Sequence, residues 1–266
     1  MKKDMKKLLF LLINIVILSI LIFGCSSKKI ESKKDNNTVI IGIDDTFVPM
    51  GFKNEKGDIV GFDVDIAKEA FKRMNLKVIF QPIDWSMKET ELTNGNIDLI
   101  WNGYTMTHER EKKVAFTNSY LKNRQVIVTL SNSNINTLND LKGKTVTTQD
   151  GSSSLDTLFE NPELTKSFKN GEPVLFDSFN DCFMDLEAGR SDAVVCDEIL
   201  AQYYIFKNDP SKFHVLTEDL GEESYSIGLR KNSNLIDPLN KTLEDMKEDG
   251  TIAKISNKWF GKDLEK

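Results

Sequence analysis

The sequence has few of the side chains from which metal and redox centres are built. Among its 266 residues there are three cysteines and two histidines. The histidines, His108 and His214, lie far apart in the chain, and no cysteine stands near a histidine at the spacing of metal ligands. We therefore expect neither a metal ion nor a cofactor.

Positive charge is also in deficit. Lysine and arginine number 35 against 41 aspartates and glutamates, which gives a formal net charge of −6. Residues 1–24 carry four lysines and one aspartate, so the rest of the chain has a net charge of −9. An acidic body of this kind argues against a nucleic acid as the partner.

Long apolar runs are absent except near the N-terminus. Leu8–Phe23 is apolar apart from Asn14 and Ser19, and its 16 residues fall short of the roughly 20 that a membrane-spanning helix needs. Four lysines precede this run, and Gly24 follows it. A basic start, a short apolar segment and a small residue predict a secretory signal peptide over residues 1–24. An uncleaved signal anchor is the alternative.

The next residues predict a lipid anchor. Ile22-Phe23-Gly24-Cys25 resembles a bacterial lipobox, which implies that Cys25 is diacylated and becomes the first residue of the mature protein. Residues 25–37 are mostly polar, and we interpret them as the lipidated N-terminus and a flexible tether. We therefore expect an exported protein that is lipid-anchored to the outer face of the cell membrane.

From Val39 onward, strand and helix patterns alternate. Val39–Ile43 and Leu76–Asp84 read as strands, and a helix with an apolar face begins near Gly61. This order predicts an α/β sheet, whose ligand site lies at the carboxyl ends of the strands. The residues at three of those ends are Asp44, Trp85 and Asn102.

The stretch Asp98–Arg110 combines a strand, a polar turn and the start of a helix. Its apolar run is broken at Gly103, and Thr105 or Thr107 can cap the charged segment that follows. A helix N-terminus and the Arg110 fork both favour an anion, such as a carboxylate or a phosphate. The alternative is an ordinary loop with an arginine on the surface.

A second polar loop follows the predicted strand Thr145–Thr148. It begins at Gln149, contains Gly151 and three serines, and leads into a helix. Its backbone N–H groups are suited to an anion or a polar ligand. The loop lacks a Gly-Lys-Ser/Thr ending and is therefore no P-loop. A cluster of serines that only caps the helix is the alternative.

The second half of the chain repeats the α/β pattern. Cys182 is predicted to lie in a helix and Cys196 at the end of a strand. An exported protein can form a disulfide, but we favour two free thiols. Tyr225–Leu229 is predicted to be a single strand, and two helices follow it.

The segment Gly61-Phe62-Asp63-Val64-Asp65-Ile66-Ala67 resembles the signature of the family 3 extracellular solute-binding proteins, the polar amino-acid receptors of bacterial ABC importers. Further stretches match that family in order and spacing, and the resemblance covers Val39–Lys262. These stretches are Asp44-x-x-Phe47-x-Pro49, Asp84-Trp85, Asn96-Ile97-Asp98, Asn102-Gly103-x-Thr105-x-Thr107-x-Glu109-Arg110, Asp192-Ala193-Val194 and Lys258-Trp259-Phe260-Gly261.

The resemblance implies a two-lobed α/β fold of the periplasmic-binding-protein type II class, with two hinge strands. Lobe 1 would comprise residues 38–120 and 225–266, and lobe 2 residues 126–220. The hinges would lie at residues 121–125 and 221–224. Closure of such lobes about a hinge is an established way to enclose a ligand.

The resemblance also implies roles for individual residues around a bound amino acid. Arg110 would clamp the α-carboxylate together with Thr105, in the loop that contains Gly103. The carbonyl of Asn102 and the carboxylate of Asp197 would accept from the α-ammonium. A zwitterion needs such a cationic fork at one end and an anion at the other. The ligand side chain would lie between Phe47 and Trp85, with its far end near Asp44, Gln149 and Ser153.

Several of these residues have plainer alternative roles. Asp197 would alternatively serve only as a helix N-cap. Phe47 and Trp85 would serve as core aromatics. Asp44 would serve as a turn former.

The function implied is that of a lipid-anchored, monomeric substrate-binding protein of an ABC importer. It would capture a free polar amino acid of the cystine, arginine or glutamine type and deliver it to the permease and ATPase complex, with no covalent chemistry. One alternative is an enzyme on the same fold, similar to cyclohexadienyl or arogenate dehydratases. It would need an acid or base over the substrate, and only generic acids are present. The other is an amino-acid sensor that acts through a partner.

Overall fold

The computed structural model describes residues 37–264. The predicted signal peptide, Cys25 and nearly all of the predicted tether lie outside this range. Within it, no helix has both the length and the apolar character required to cross a membrane.

The described chain alternates short strands with helices. Its strands, in order, are β1 (Thr38–Ile43), β2 (Thr46–Phe47), β3 (Gly51–Lys53), β4 (Ile59–Val60), β5 (Lys77–Pro82), β6 (Leu99–Ile100), β7 (Ala115–Phe116), β8 (Leu121–Leu130), β9 (Val146–Gln149), β10 (Val174–Phe176), β11 (Ala193–Asp197), β12 (Phe213–Val215), β13 (Glu222–Tyr225) and β14 (Gly228–Leu229).

The α-helices of the described range are α1 (Phe62–Arg73), α2 (Lys88–Thr93), α3 (His108–Lys113), α4 (Ser153–Glu160), α5 (Pro162–Ser167), α6 (Phe179–Glu187), α7 (Glu198–Lys207), α8 (Ile236–Glu248) and α9 (Thr251–Phe260). Short 3₁₀ helices lie at Trp85–Met87, Leu138–Leu141 and Pro210–Lys212.

Two mixed sheets form the centres of two lobes. The sheet of lobe 1 has the strand order β5-β1-β6-β14-β7, and that of lobe 2 has the order β10-β9-β11-β8-β12. In lobe 1, β1 runs parallel to β5 and β6, with Ile41 opposite Phe80 and Leu99. Ile41 and Ile43 are fully buried on one face of β1, and on the other face a Cβ at Gly42 would lie 2.5 Å from the side chain of Ile97, so β1 is covered on both sides, as parallel strands are in α/β folds.

Helix α1 covers lobe 1 with the apolar face that the sequence predicts. Val64, Ala67 and Phe71 are all fully buried, and Phe71 meets the ring of Trp101 edge-on. Asp63 and Asp65 lie in the first turn, where the helix dipole favours acidic side chains.

Strand β8 connects the lobes and is flanked by β13. The two strands pair antiparallel, with Tyr225 opposite Leu121 and Glu222 opposite Arg124. The prediction of a single strand over Tyr225–Leu229 is wrong. The chain pairs with β8 up to Tyr225, and from Gly228 it pairs with β6 and β7 instead, so the change of partner interrupts the strand.

The two cysteines of the described chain are buried free thiols, as predicted. Cys182 lies on α6, where burial raises the pKa of its thiol to about 12. Cys196 lies on β11, and burial raises the pKa of its thiol as well. Both side chains therefore serve as apolar packing.

Gly61 permits a close approach at the start of α1. Its φ is +148°, and a Cβ there would lie 2.2 Å from the carbonyl oxygen of Met50. The carbonyls of Pro49 and Met50 accept from the N–H groups of Phe62 and Asp63 at 2.8 and 2.9 Å. The N–H groups of the first helical turn, which have no acceptor within the helix, thus donate to the loop that contains Pro49 and Met50. Only glycine at position 61 leaves room for that loop.

We predict that Gly61→Ala lowers the free energy of unfolding by at least ~3 kcal/mol, because the added Cβ meets backbone that cannot rotate away. Gly57→Ala is the control: its φ is also positive, at +85°, but a Cβ there meets nothing within 4 Å. It should cost about 1 kcal/mol. Urea denaturation measures both variants, and equal losses would contradict the steric explanation.

Candidate functional site

Asp44 lies directly after β1 and reaches across to lobe 2. One carboxylate oxygen accepts from the backbone N–H of Thr46 at 2.9 Å and from its hydroxyl at 2.6 Å. The other oxygen accepts from Nε2 of Gln149 at 2.6 Å. Asp44 is therefore a turn former that also contacts the opposite lobe. Burial is the main cause that raises the pKa of this carboxyl group.

Arg110 is buried at the start of α3, which Thr107 caps through a hydrogen bond from the N–H of Arg110 at 3.2 Å. Its guanidinium donates to the carbonyl oxygens of Thr105 and Gly151, both at 3.0 Å. It lies 4.8 Å from the centre of the Tyr104 ring. The alternative of a surface arginine is therefore wrong, since this side chain lies between the lobes.

Asp63 holds the loop that precedes Arg110. Its Oδ2 accepts from the N–H of Gly103 at 2.7 Å and from the hydroxyl of Tyr120 at 2.8 Å. Burial raises the pKa of Asp63 to about 7, although both hydrogen bonds favour the charged form. Gly103 has a φ of +58°, and a Cβ there would lie 2.6 Å from the ring of Phe47. Glycine is thus required where the predicted strand breaks.

Asn102 stands beside these groups and fixes the end of β1. Its Oδ1 accepts from the N–H of Asp44 at 2.8 Å. This side chain therefore binds protein and not solvent, in agreement with its nearly complete burial.

The turn from β9 to α4, residues 149–153, faces lobe 1. Ser152 caps α4, because its hydroxyl accepts from the N–H of Leu155 at 3.1 Å. Ser153 Oγ lies 3.1 Å from Thr105 Oγ1. The serine-cap alternative therefore holds for Ser152, while Ser153 contacts the opposite lobe.

Asp197 occupies the N-cap position of α7, but its side chain does not cap that helix. Its Oδ1 accepts from Nδ2 of Asn123 at 2.6 Å, from the hydroxyl of Tyr225 at 2.7 Å and from Nε2 of Gln125 at 3.2 Å. The N-cap alternative therefore explains its place in the chain but not the direction of its carboxylate.

Glu223 on β13 shares the amide donors of Asp197. Its Oε1 accepts from Asn123 at 2.6 Å, from Gln125 at 3.0 Å and from the Thr105 hydroxyl at 2.9 Å. Burial, followed by the charge of Glu223, holds the pKa of Asp197 well above its usual range. Two carboxylates thus share neutral donors, and no salt bridge to either is found among residues 37–264.

Phe47 and Trp85 are both buried, each against another aromatic ring. The ring centre of Phe47 lies 5.9 Å from that of Phe179, and that of Trp85 lies 5.9 Å from that of Tyr104. Lys88 Nζ stands 5.1 Å from the Trp85 ring centre. The core-aromatic alternative accounts for these contacts, and enclosure of a ligand between the two rings stays a prediction.

The sequence reasoning missed several polar residues at this site. Asn123 and Gln125 alternate along β8 and so share one face, which is a signal that the sequence did contain. Lys88 and Glu223 lie in segments whose sequence pattern does not show which lobe they face. Their roles follow only from the way the lobes meet.

The site brings together groups of both signs. Lys88 Nζ lies 3.4 Å from the carboxylate of Glu89, and Arg110 Nη2 lies 3.3 Å from that of Asp156. Thr105 links Arg110, which donates to its carbonyl, to Glu223, which accepts from its hydroxyl. A zwitterionic amino acid requires a cation and an anion within one such site. Within the part of the chain that is described, no group of three or more His, Cys, Asp or Glu side chains could hold a metal ion.

The family model of the bacterial extracellular solute-binding proteins, family 3, matches residues 39–262. The arginine-binding extracellular protein of Bacillus subtilis (strain 168) is 34% identical over 258 residues, which cover 96% of this chain and 98% of that protein. The L-cystine-binding protein of Escherichia coli (strain K12) is 29% identical over 236 residues, which cover 88% of this chain and 86% of that protein.

A solved structure has the same fold: an ABC uptake transporter substrate binding protein from Streptococcus pneumoniae with bound histidine. It is 43% identical with a TM-score of 0.84, over 86% of this chain and 94% of that one. The predicted two-lobed type II fold is therefore confirmed. Because the relatives are ligand-binding transport proteins, this exported chain is a binding protein and not an enzyme. The chain belongs to the bacterial extracellular solute-binding proteins of family 3.

Proposed function

We propose that this protein is the lipid-anchored receptor of an ABC importer, which encloses a free polar amino acid between its lobes and delivers it to a membrane permease. The observation that carries the proposal is that a buried arginine, Arg110, stands in lobe 1 and a buried aspartate, Asp197, in lobe 2. Since a zwitterion would find partners on both lobes, the ligand itself draws the lobes together.

In this mechanism Arg110 and Thr105 bind the α-carboxylate, and Asp197 with the Asn102 carbonyl binds the α-ammonium. The proposed hinges, residues 121–125 and 221–224, are supported by the pairing of β8 with β13. Lobe 1 then comprises residues 38–120 and 225–266, and lobe 2 residues 126–220. Cys25 carries the lipid, and residues 25–37 form the tether.

The ligand side chain is proposed to lie between Phe47 and Trp85, with its far end near Asp44, Gln149 and Ser153. Similar proteins are described as binding arginine, L-cystine and histidine. At that far end the carboxyl group of Asp44 accepts from the neutral donors Thr46 and Gln149, and in its ionised form it would favour a cationic side chain such as that of arginine over a neutral one.

A thermal-shift screen of the twenty amino acids and cystine tests this proposal directly. A ligand that binds only the folded state must raise the melting temperature. We expect the largest shift from arginine, with histidine, cystine and glutamine as the next candidates. No shift with any of these compounds would contradict the proposed function.

Arg110→Lys should weaken binding of that amino acid by about 1.5–3 kcal/mol, because lysine keeps the charge but loses the forked donor that a carboxylate requires. Isothermal titration calorimetry gives the affinity. Arg230→Lys is the control, since Arg230 also donates to a carbonyl, that of Ile97, and to the carboxylate of Asp98. Equal losses in the two variants would remove Arg110 from the ligand site.

Glu223→Gln should change how the affinity depends on pH. An ionised Asp197 binds an ammonium, so the affinity falls as the pH drops through the raised pKa of Asp197 in the free protein. Without the charge of Glu223 that pKa is lower, although burial, the largest cause that raises it, remains. The loss of affinity therefore moves to lower pH, while the affinity at neutral pH weakens about tenfold.

The matched control for this variant is Glu222→Gln. Glu222 is the neighbouring residue on β13, is exposed, and points to the other face of the strand. Its pH profile should coincide with that of the wild type. A profile for Glu223→Gln that does not move would show that the charge of Glu223 does not raise the pKa of Asp197.

A further inference from the structure

Contacts between the lobes recur along the turn of residues 149–153. Gln149 donates to Asp44, the carbonyl of Gly151 accepts from lobe 1, and Ser153 meets Thr105. Alternate residues of one turn therefore meet three separate segments of lobe 1. Gly151 stands at the centre of this set.

Two cations of lobe 1 converge on the carbonyl oxygen of Gly151. Lys88 Nζ donates to it at 2.7 Å and Arg110 Nη2 at 3.0 Å. Lys88 is only 2% exposed, and its ammonium also donates to the carbonyl of Trp85 at 3.1 Å. An ammonium in so dry a position must have its donors satisfied, and lobe 2 supplies one of the acceptors.

The backbones of the two lobes also approach each other closely at this point. Gly151 has a φ of +67°, and a Cβ there would lie 2.8 Å from Cα of Ser86 and 3.3 Å from Nζ of Lys88. The first of these is a backbone atom, which cannot rotate away. A side chain at position 151 would therefore hold the lobes apart.

We propose that Gly151 controls closure of the lobes: its missing side chain lets Ser86 approach, and its carbonyl then receives Lys88 and Arg110. This inference rests on the proposed function, since closure matters only if a ligand is enclosed. Gly151 is a positioning residue, because it contacts the side chain that clamps the ligand. Lys88 is the second positioning residue of the closed form.

Gly189 provides the control that separates a steric effect between the lobes from the backbone strain of any residue with positive φ. It lies in the same lobe and has the same φ of +67°, but a Cβ there meets nothing within 4 Å. Gly189→Ala and Gly151→Ala therefore introduce the same left-handed strain. Only the second also places an atom between the lobes.

The experiment compares these two variants with the wild type, using L-arginine, L-histidine and L-cystine in turn as the ligand. Stopped-flow fluorescence gives the association and dissociation rates, and small-angle X-ray scattering follows compaction on binding. For Gly151→Ala we expect dissociation at least about tenfold faster, a similar association rate and no compaction. Gly189→Ala should bind and compact like the wild type.

Dissociation and compaction in Gly151→Ala equal to those of Gly189→Ala would overturn the proposal. Gly151→Asn keeps the test open if the alanine variant does not fold, because asparagine tolerates left-handed backbone while carrying the same Cβ. Absence of binding by the wild type would instead refute the proposed function. The two failures are therefore distinguishable.

Discussion

Polar groups that are buried where two lobes meet must find hydrogen-bond partners, in their own lobe or in the opposite one, and this constraint determines the site of this protein. Lobe 1 contributes Asp44, Lys88 and Arg110. Their hydrogen-bond partners in lobe 2 lie in a single short turn, residues 149–153. The donors and acceptors of that turn are mostly backbone groups or small side chains, so the lobes can approach closely. Several hydrogen bonds of the site therefore join one lobe to the other.

The carboxylate of Asp63 connects this site to the proposed hinge. It accepts from the N–H of Gly103, within the proposed ligand loop, and from the hydroxyl of Tyr120, which stands one residue before β8. A single buried group therefore fixes both the loop and the point where the chain leaves lobe 1. Because burial raises the pKa of Asp63 to about 7, protonation of this carboxylate just below neutral pH would weaken both hydrogen bonds. One carboxylate thus holds the proposed ligand loop and the residue before the proposed hinge strand together.

The sequence predicts well what depends on local pattern. The apolar spacing of Val64, Ala67 and Phe71 predicts the buried face of α1, and the ends of the strands point to Asp44 and Asn102. The sequence predicts less well those features that depend on which sheet or lobe a residue contacts. The strand expected over Tyr225–Leu229 is divided because its two halves pair with different sheets. The role of Lys88 was missed for a related reason. A lysine on a short polar helix is predicted to lie on the surface, but in the folded protein the opposite lobe covers Lys88.

The burial of Lys88 adds a free-energy cost to the closed arrangement of the lobes. Burial, together with the charge of Arg110, lowers the pKa of Lys88 to about 8, so the closed form disfavours its charged state. Two hydrogen bonds to carbonyls and the nearby Glu89, whose carboxylate lies 3.4 Å away, offset only part of that cost. A ligand carboxylate at Arg110 would bring a negative charge to this pair of cations and stabilise the closed arrangement. Under the proposed function, the carboxylate of a free amino acid therefore adds to the negative charge that Glu89 and Asp156 already supply to these two cations, Asp156 lying 3.3 Å from Arg110 Nη2.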